Sequence, residues 1–157
     1  CMIAQKYGRI INISSAAAAG VKGQVIYGTS KAGILALTSG VALEVAQLGI
    51  TVNSVMPSAK TRLLDAFLDA VSAGVVEVPA NAMQGFELGL PDNNAPIVTY
   101  LASERAGGTT GRAFNIDFAG NLRLVRVASE VKCLRKEVWT EQDIERVMPV
   151  LLSEATC

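Results

Sequence analysis

The chain has 157 residues, 14 Lys and Arg against 14 Asp and Glu, half of its residues hydrophobic, three cysteines and no histidine. That length suits one domain with a real core, and a net charge of zero leaves no electrostatic footprint for nucleic acid or an anionic membrane. Without histidine there is no Ser-His-Asp or Cys-His machinery and no His-ligated zinc or haem, so the chemistry falls to Tyr, Lys, Ser, Cys or carboxylates. Cys1, Cys133 and Cys157 lie far apart in no CxxC pattern, which predicts neither a disulfide framework nor a metal site. Their odd number fits a reducing compartment, the cytoplasm or another such as a peroxisome. No apolar run is long enough for a membrane span, and no secretory signal is expected.

The chain opens at Cys1 and runs almost at once into a buried-strand pattern, which predicts a truncated chain. Residues 9–14 are short, β-branched and mostly apolar, as in a buried parallel strand. Residues 14–26 read as a loop. A long helix is predicted from Tyr27 to about Leu48, with Leu35, Leu37, Val41, Ala42, Val45 and Leu48 apolar and Gly49 as its stop. Gly28, Gly33 and Gly40 each lower its intrinsic helicity by roughly 1 kcal/mol, so packing must hold it. Only Lys31 and Glu44 bring charge to it, which predicts burial on two sides, against its own sheet and against something else.

Residues 50–56 predict a second strand, ended by Pro57. Leu63, Leu64, Phe67, Leu68 and Val71 make an amphipathic stretch before a Gly/Pro-punctuated segment to Pro91. A short helix is predicted over about 94–104, with Asn93 or Asn94 as N-cap, and a third strand over 112–118. Strands alternating with helices predict an α/β fold with parallel pairing and right-handed crossovers. Leu122 and Leu124 hint at an edge strand. Thr140 and Asp143 resemble a capping box, with Trp139 and Ile144 as staple, for a helix ending near Met148 before Pro149.

Residues 8–61 carry the chemistry. Ser14-Ser15 ends a strand, Tyr27 and Lys31 stand four apart where a helix begins, and a second strand leads to Pro57. In open α/β sheets ligands bind at the carboxyl ends of strands, and positions i and i+4 share a helix face. A free tyrosine ionises near pH ~10, and a nearby ammonium lowers that value. Tyr27 then exchanges a proton with a carbonyl or alcohol oxygen that the Ser15 hydroxyl holds. This is interconversion of a ketone and a secondary alcohol, with hydride from a cofactor.

The segment GRIINISSAAAAGVKGQVIYGTSKAGILALTSGVALEVAQLGITVNSVMP resembles the catalytic half of the short-chain dehydrogenase/reductase family, and TGRAFNIDFAG resembles its last-strand motif. The resemblance covers about residues 8–120. It implies a Rossmann-like three-layer fold around a parallel sheet, here without its N-terminal cofactor-binding half, and dependence on NAD or NADP. Residues 1–157 then form a single partial domain, with 121–157 as a C-terminal extension. By position, Ser15 orients the substrate oxygen, Tyr27 is the general acid/base, and Lys31 holds the nicotinamide ribose and lowers the Tyr27 pKa. Asn53, Pro57 and Thr61 match the motif after the next strand, and Pro57, Ser58 and Thr61 flank the nicotinamide. The family's oligomers imply a homodimer or homotetramer through helix 27–48.

The variant PSAKTR and the tail GNLRLVRVASEVKCLRKEVWTEQDIERV are similar to (3R)-hydroxyacyl-CoA dehydrogenase domains of multifunctional β-oxidation proteins. That resemblance implies a 3-hydroxyacyl-CoA or steroid-like substrate. The alternatives are a 3-oxoacyl-thioester reductase and a non-catalytic remnant that binds no cofactor. Three departures bear on this. Family members often have Pro-Gly where this chain has Pro57-Ser58, and their Thr usually comes one residue later than Thr61. The Ser15–Tyr27 spacing is one residue short of the family's usual one, so Ser14 fits by count and Ser15 by motif. Ser15 is preferred, because the loop loses a residue more easily than the strand end slips. No GxGxxG phosphate loop occurs, and Asn93-Asn94-Ala95-Pro96 reads as a cap although it looks like the family's NNAG. Arg62 reads as solvating a helix start rather than meeting a coenzyme A phosphate, 63–90 as a hydrophobic helix or substrate lid, and Lys132, Arg135 and Lys136 as a solvated face. Trp139 reads as a staple rather than a ligand platform, and Cys133 as a surface or semi-buried thiol without a role.

Overall fold

Gly49 and Pro57 bracket the strand on which the rest is built. In the computed structural model, which describes residues 1–75, 89–126 and 140–152, β1 is Gly8–Ile13, β2 is Ile50–Met56, β3 is Ala113–Ile116 and β4 is Leu122–Val125. The helices are α1 (Met2–Gln5), α2 (Val25–Glu44), α3 (Arg62–Ser72), α4 (Ala95–Ala102) and α5 (Glu141–Leu152). The sheet order is β1-β2-β3-β4, with β1, β2 and β3 parallel. The expected third strand is shorter than 112–118, and the chain then reverses so that β4 pairs antiparallel with β3. The sheet is therefore mixed, with the hinted edge strand in place.

Every residue of β2 is buried, which is what a strand covered on both faces requires. Ile50 and Val52 pack with Ala42 and Val41 of α2 and with Val45 just beyond it, and Met56 packs with Leu35 and Ala113. Val55 points the other way, into a cluster with Ile97 and Leu101 of α4, Ala106 and Ile116. Alternation along one strand thus builds the two outer layers. Asn53 is fully buried on the α4 side and spends its amide on the loop before β3: Nδ2 donates to the Thr109 carbonyl at 2.7 Å, and Oδ1 accepts from the Arg112 amide at 3.1 Å.

Several boundaries differ from expectation. α2 begins at Val25 and ends at Glu44, and Val45–Gly49 forms turns that close on Gly49 at φ +71°. A Cβ at Gly49 would sit 2.1 Å from the Lys6 carbonyl oxygen, so glycine is required there twice over. The loop over 14–26 contains a 3₁₀ turn, Ala16–Ala19. The helix expected over 94–104 is α4 flanked by 3₁₀ turns at Pro91–Asn94 and Glu104–Ala106, and Asn94 does not cap it. The Asn94 side chain reaches instead to the Ser58 carbonyl. α3 is amphipathic as expected, but none of its residues is fully buried.

Residues 1–127 form one unit and 128–157 a second. In the second, Thr140 Oγ1 accepts from the Asp143 amide at 3.2 Å and Asp143 returns a bond to the Thr140 amide at 3.1 Å, the reciprocal capping box. α5 does not stop before Pro149 but continues past it, at the cost of one i→i−4 backbone bond. Trp139, Cys133, the Lys132–Lys136 cluster and the 76–88 part of the expected lid lie outside the described residues. No described helix is long and apolar enough to cross a membrane, and the described residues hold no cluster of three or more metal-ligating side chains.

Candidate active site

Parallel pairing of β1 with β2, in the register Asn12↔Ser54 and Ile13↔Val55, brings Ser14-Ser15 and Pro57 to the same carboxyl edge of the sheet. Ser14 and Ser15 then part ways. Ser14 is 3% exposed, its amide donates to the Val55 carbonyl, and its hydroxyl donates to the Lys31 carbonyl at 2.8 Å. Ser15 is half-buried and opens the Ala16–Ala19 turn, where its Oγ accepts from the Ala17 amide at 3.2 Å. A hydroxyl that accepts one bond still has its proton to donate.

Lys31 closes the cluster from the helix side. Its Nζ donates to the Ile13 carbonyl at 3.1 Å and lies 5.5 Å from the centre of the Tyr27 ring, within cation–π range. An ammonium has three protons, so one bond to Ile13 leaves two for a ligand. Tyr27 is half-exposed one turn earlier on the same helix face. Gly28 allows this approach: a Cβ there would meet the Ala17 carbonyl oxygen at 2.7 Å. The structure thus gathers Ser15, Tyr27 and Lys31 where the end of β1 meets the first turns of α2.

Pro57, Ser58 and Thr61 follow β2 along the same edge. They are held from the α4 side: the Asn94 amide donates to the Ser58 carbonyl at 3.1 Å, and the Lys60 amide donates to the Gly89 carbonyl at 2.6 Å. Thr61 precedes α3 with an exposed side chain that makes no capping bond. Asn53 belongs to the fold and not to this edge. Sequence reasoning missed the Asn94–Ser58 link, because a bond across 36 positions leaves no local signature.

Asp117 directly follows β3. The Asn121 side-chain amide is the chief cause that lowers its carboxyl to about 2, with the Asn121 backbone and Arg123 helping against the upward push of burial. Asp117 is therefore the anchor of the β3–β4 turn. A hollow of about 280 Å³ opens between the Ala16–Ala19 turn and α2, lined by Ala17, Val21, Gln24, Val25, Gly28 and Ala32 among others. A larger cleft of about 540 Å³ lies between α4 and β3–β4, is mostly apolar, and includes none of the six site residues.

A family model described as Enoyl-(Acyl carrier protein) reductase matches residues 1–120. The 3-oxoacyl-(acyl-carrier-protein) reductase of Rickettsia prowazekii is 38% identical over 119 residues, which is 74% of this chain and 47% of that protein. The chain thus spans about half the length of the curated relatives it matches. A short chain dehydrogenase from Mycobacterium avium superposes with a TM-score of 0.71 at 32% identity, covering 95% of this chain and 46% of that one. An actinorhodin polyketide ketoreductase solved with NADPH gives 0.62 at 30% identity, covering 76% and 50%. With a model matched over most of its length and relatives of this kind, the chain belongs to the short-chain dehydrogenase/reductase family.

Proposed function

We propose that these residues serve the interconversion of a ketone and a secondary alcohol. The observation that carries the reading is the double tie of Lys31, bonded to the end of β1 and seated over Tyr27, with Ser15 two residues beyond the Ile13 carbonyl it bonds. In the reducing direction Ser15 donates a hydrogen bond to the substrate oxygen and Tyr27 delivers its phenolic proton to it. The Lys31 ammonium offsets the charge left on the Tyr27 oxygen. In the oxidising direction the same groups act in reverse. Ser15 is assigned over Ser14 because Ser14 is buried with its proton committed to the Lys31 carbonyl.

The residues suit the nicotinamide end of NAD or NADP. The two remaining Lys31 protons match ribose hydroxyls, and Pro57, Ser58 and Thr61 would flank the ring's carboxamide. A buried acceptor without a partner among the described residues, Asn94 Oδ1, lies behind that segment. When bound, such a cofactor supplies or takes the hydride. For the substrate, a 3-oxoacyl and 3-hydroxyacyl thioester are the two ends of one couple. The name of the Rickettsia relative supports this class, and the PSAKTR variant and tail extend it toward acyl-CoA or steroid-like molecules. The competing reading is a remnant that binds no cofactor.

A homo-oligomer through α2 is part of the same reading. Ile26 and Leu37 stand 88% and 57% exposed on its outer side, and a Cβ at Gly33 or Gly40 would meet nothing within 4 Å among the described residues. That face suits the close approach of a second copy.

Tyr27→Phe keeps the ring and removes the proton. In a catalytically competent protein carrying this chain, ketone reduction should fall by about 10²–10⁴-fold, with the circular dichroism spectrum unchanged. Turnover retained in that variant overturns the mechanism.

A further inference from the structure

The Pro57–Thr61 segment has no strand or helix of its own, yet its backbone is held at two points from the segment before α4. Asn94 Nδ2 donates to the Ser58 carbonyl at 3.1 Å and also reaches the Pro91 carbonyl at 3.4 Å. Two residues on, the Lys60 amide donates to the Gly89 carbonyl at 2.6 Å. The side chain stands at the position next to α4 where a cap is expected, but it does not cap the helix. Its Oδ1 is buried with no hydrogen-bond partner among the described residues. An amide that leaves one end buried and unmatched is a poor choice for stability alone, since an apolar side chain of similar volume would avoid that loss.

We infer that Asn94 is a positioning residue: by holding the Ser58 carbonyl it sets where the Pro57–Thr61 wall stands relative to the Ser15–Tyr27–Lys31 cluster, and so how well a nicotinamide seats between them. This rests on the proposed function for the identity of what is seated, but the clamp itself is a property of the chain. The peptide that carries the Ser58 carbonyl also carries the Ala59 amide, so losing the bond frees that peptide while the Lys60 amide stays tied to the Gly89 carbonyl.

Asn94→Leu is the test. It removes the donor and the unmatched acceptor together while keeping the volume. Amide hydrogen exchange at Ala59 should rise about tenfold, with the melting temperature equal to or above that of the parent. The dissociation constant for NAD(P)H should rise about 2–10-fold, the value of one hydrogen bond, with kcat within about twofold. Unchanged exchange at Ala59 overturns the clamp. A fall in melting temperature with faster exchange throughout assigns Asn94 a merely structural role and also overturns it. Faster local exchange with unchanged affinity, in a protein whose parent binds the cofactor, overturns the positioning role. A parent that binds no cofactor refutes the proposed function, while the exchange result still decides the clamp.

Discussion

The two sides of α2 are made of much the same residues and do opposite work. On the inner side Leu35, Thr38 and Ala42 are buried, Gly28 touches the Ala17 carbonyl, and Asn12 Nδ2 donates to Thr38 Oγ1 at 2.9 Å. On the outer side Ile26 and Leu37 stand in the open, and glycines occupy positions where a side chain would have room. The uniform hydrophobicity of this helix is therefore two signals laid over each other. One is explained within the chain and the other is not.

Substitutions along the helix separate the two. Leu35→Ala should cost about 2–5 kcal/mol, the usual range for a buried leucine, read as a shift in the denaturant midpoint at unchanged slope. A loss under about 1 kcal/mol would mean that the inner face is not the one the sheet depends on. Gly28→Ala should cost about 1–2 kcal/mol, because the clash with the Ala17 oxygen outweighs the roughly 1 kcal/mol of helix propensity gained. An increase in stability would show that the serine turn moves away freely. Leu37→Lys should change the stability of the folded chain by no more than about 0.5 kcal/mol but lower self-association, as read by sedimentation, by at least about tenfold. An unchanged association constant removes the outer face from the interface.

Much of the fold was legible, and its limits are physical. β2 was read without error because Gly49 and Pro57 are unambiguous stops on either side of a β-branched run. The ends of α2 were not: Val25 and Ile26 look like loop or strand residues, yet they open the helix, and Gly49 stops the chain several residues after the helix has ended. The direction of β4 was hidden because alternation reports a strand but not its partner. At the site, Tyr27 and Lys31 were readable from spacing on one helix. The roles of Ser14 and Ser15 turn on which hydroxyl meets the Lys31 carbonyl, 17 positions away from Ser14. Asn94 was assigned to the nearest helix because capping is local chemistry, whereas its bond is not.

The contact of Asn53 with the loop before β3 has a consequence for how the chain finds its fold. β2 and β3 pair over only Ser54↔Ala113, Val55↔Phe114 and Met56↔Asn115, too short a ladder for side-chain alternation alone to reject a misaligned docking. A slip of one residue would leave both ends of a fully buried amide unmatched at once, which is far costlier than losing a single surface bond. One asparagine thus proofreads the joining of two strands separated by more than fifty residues of chain. An error there would displace Asn115, whose Nδ2 donates to the Met56 carbonyl at 2.9 Å, from its place beside Pro57.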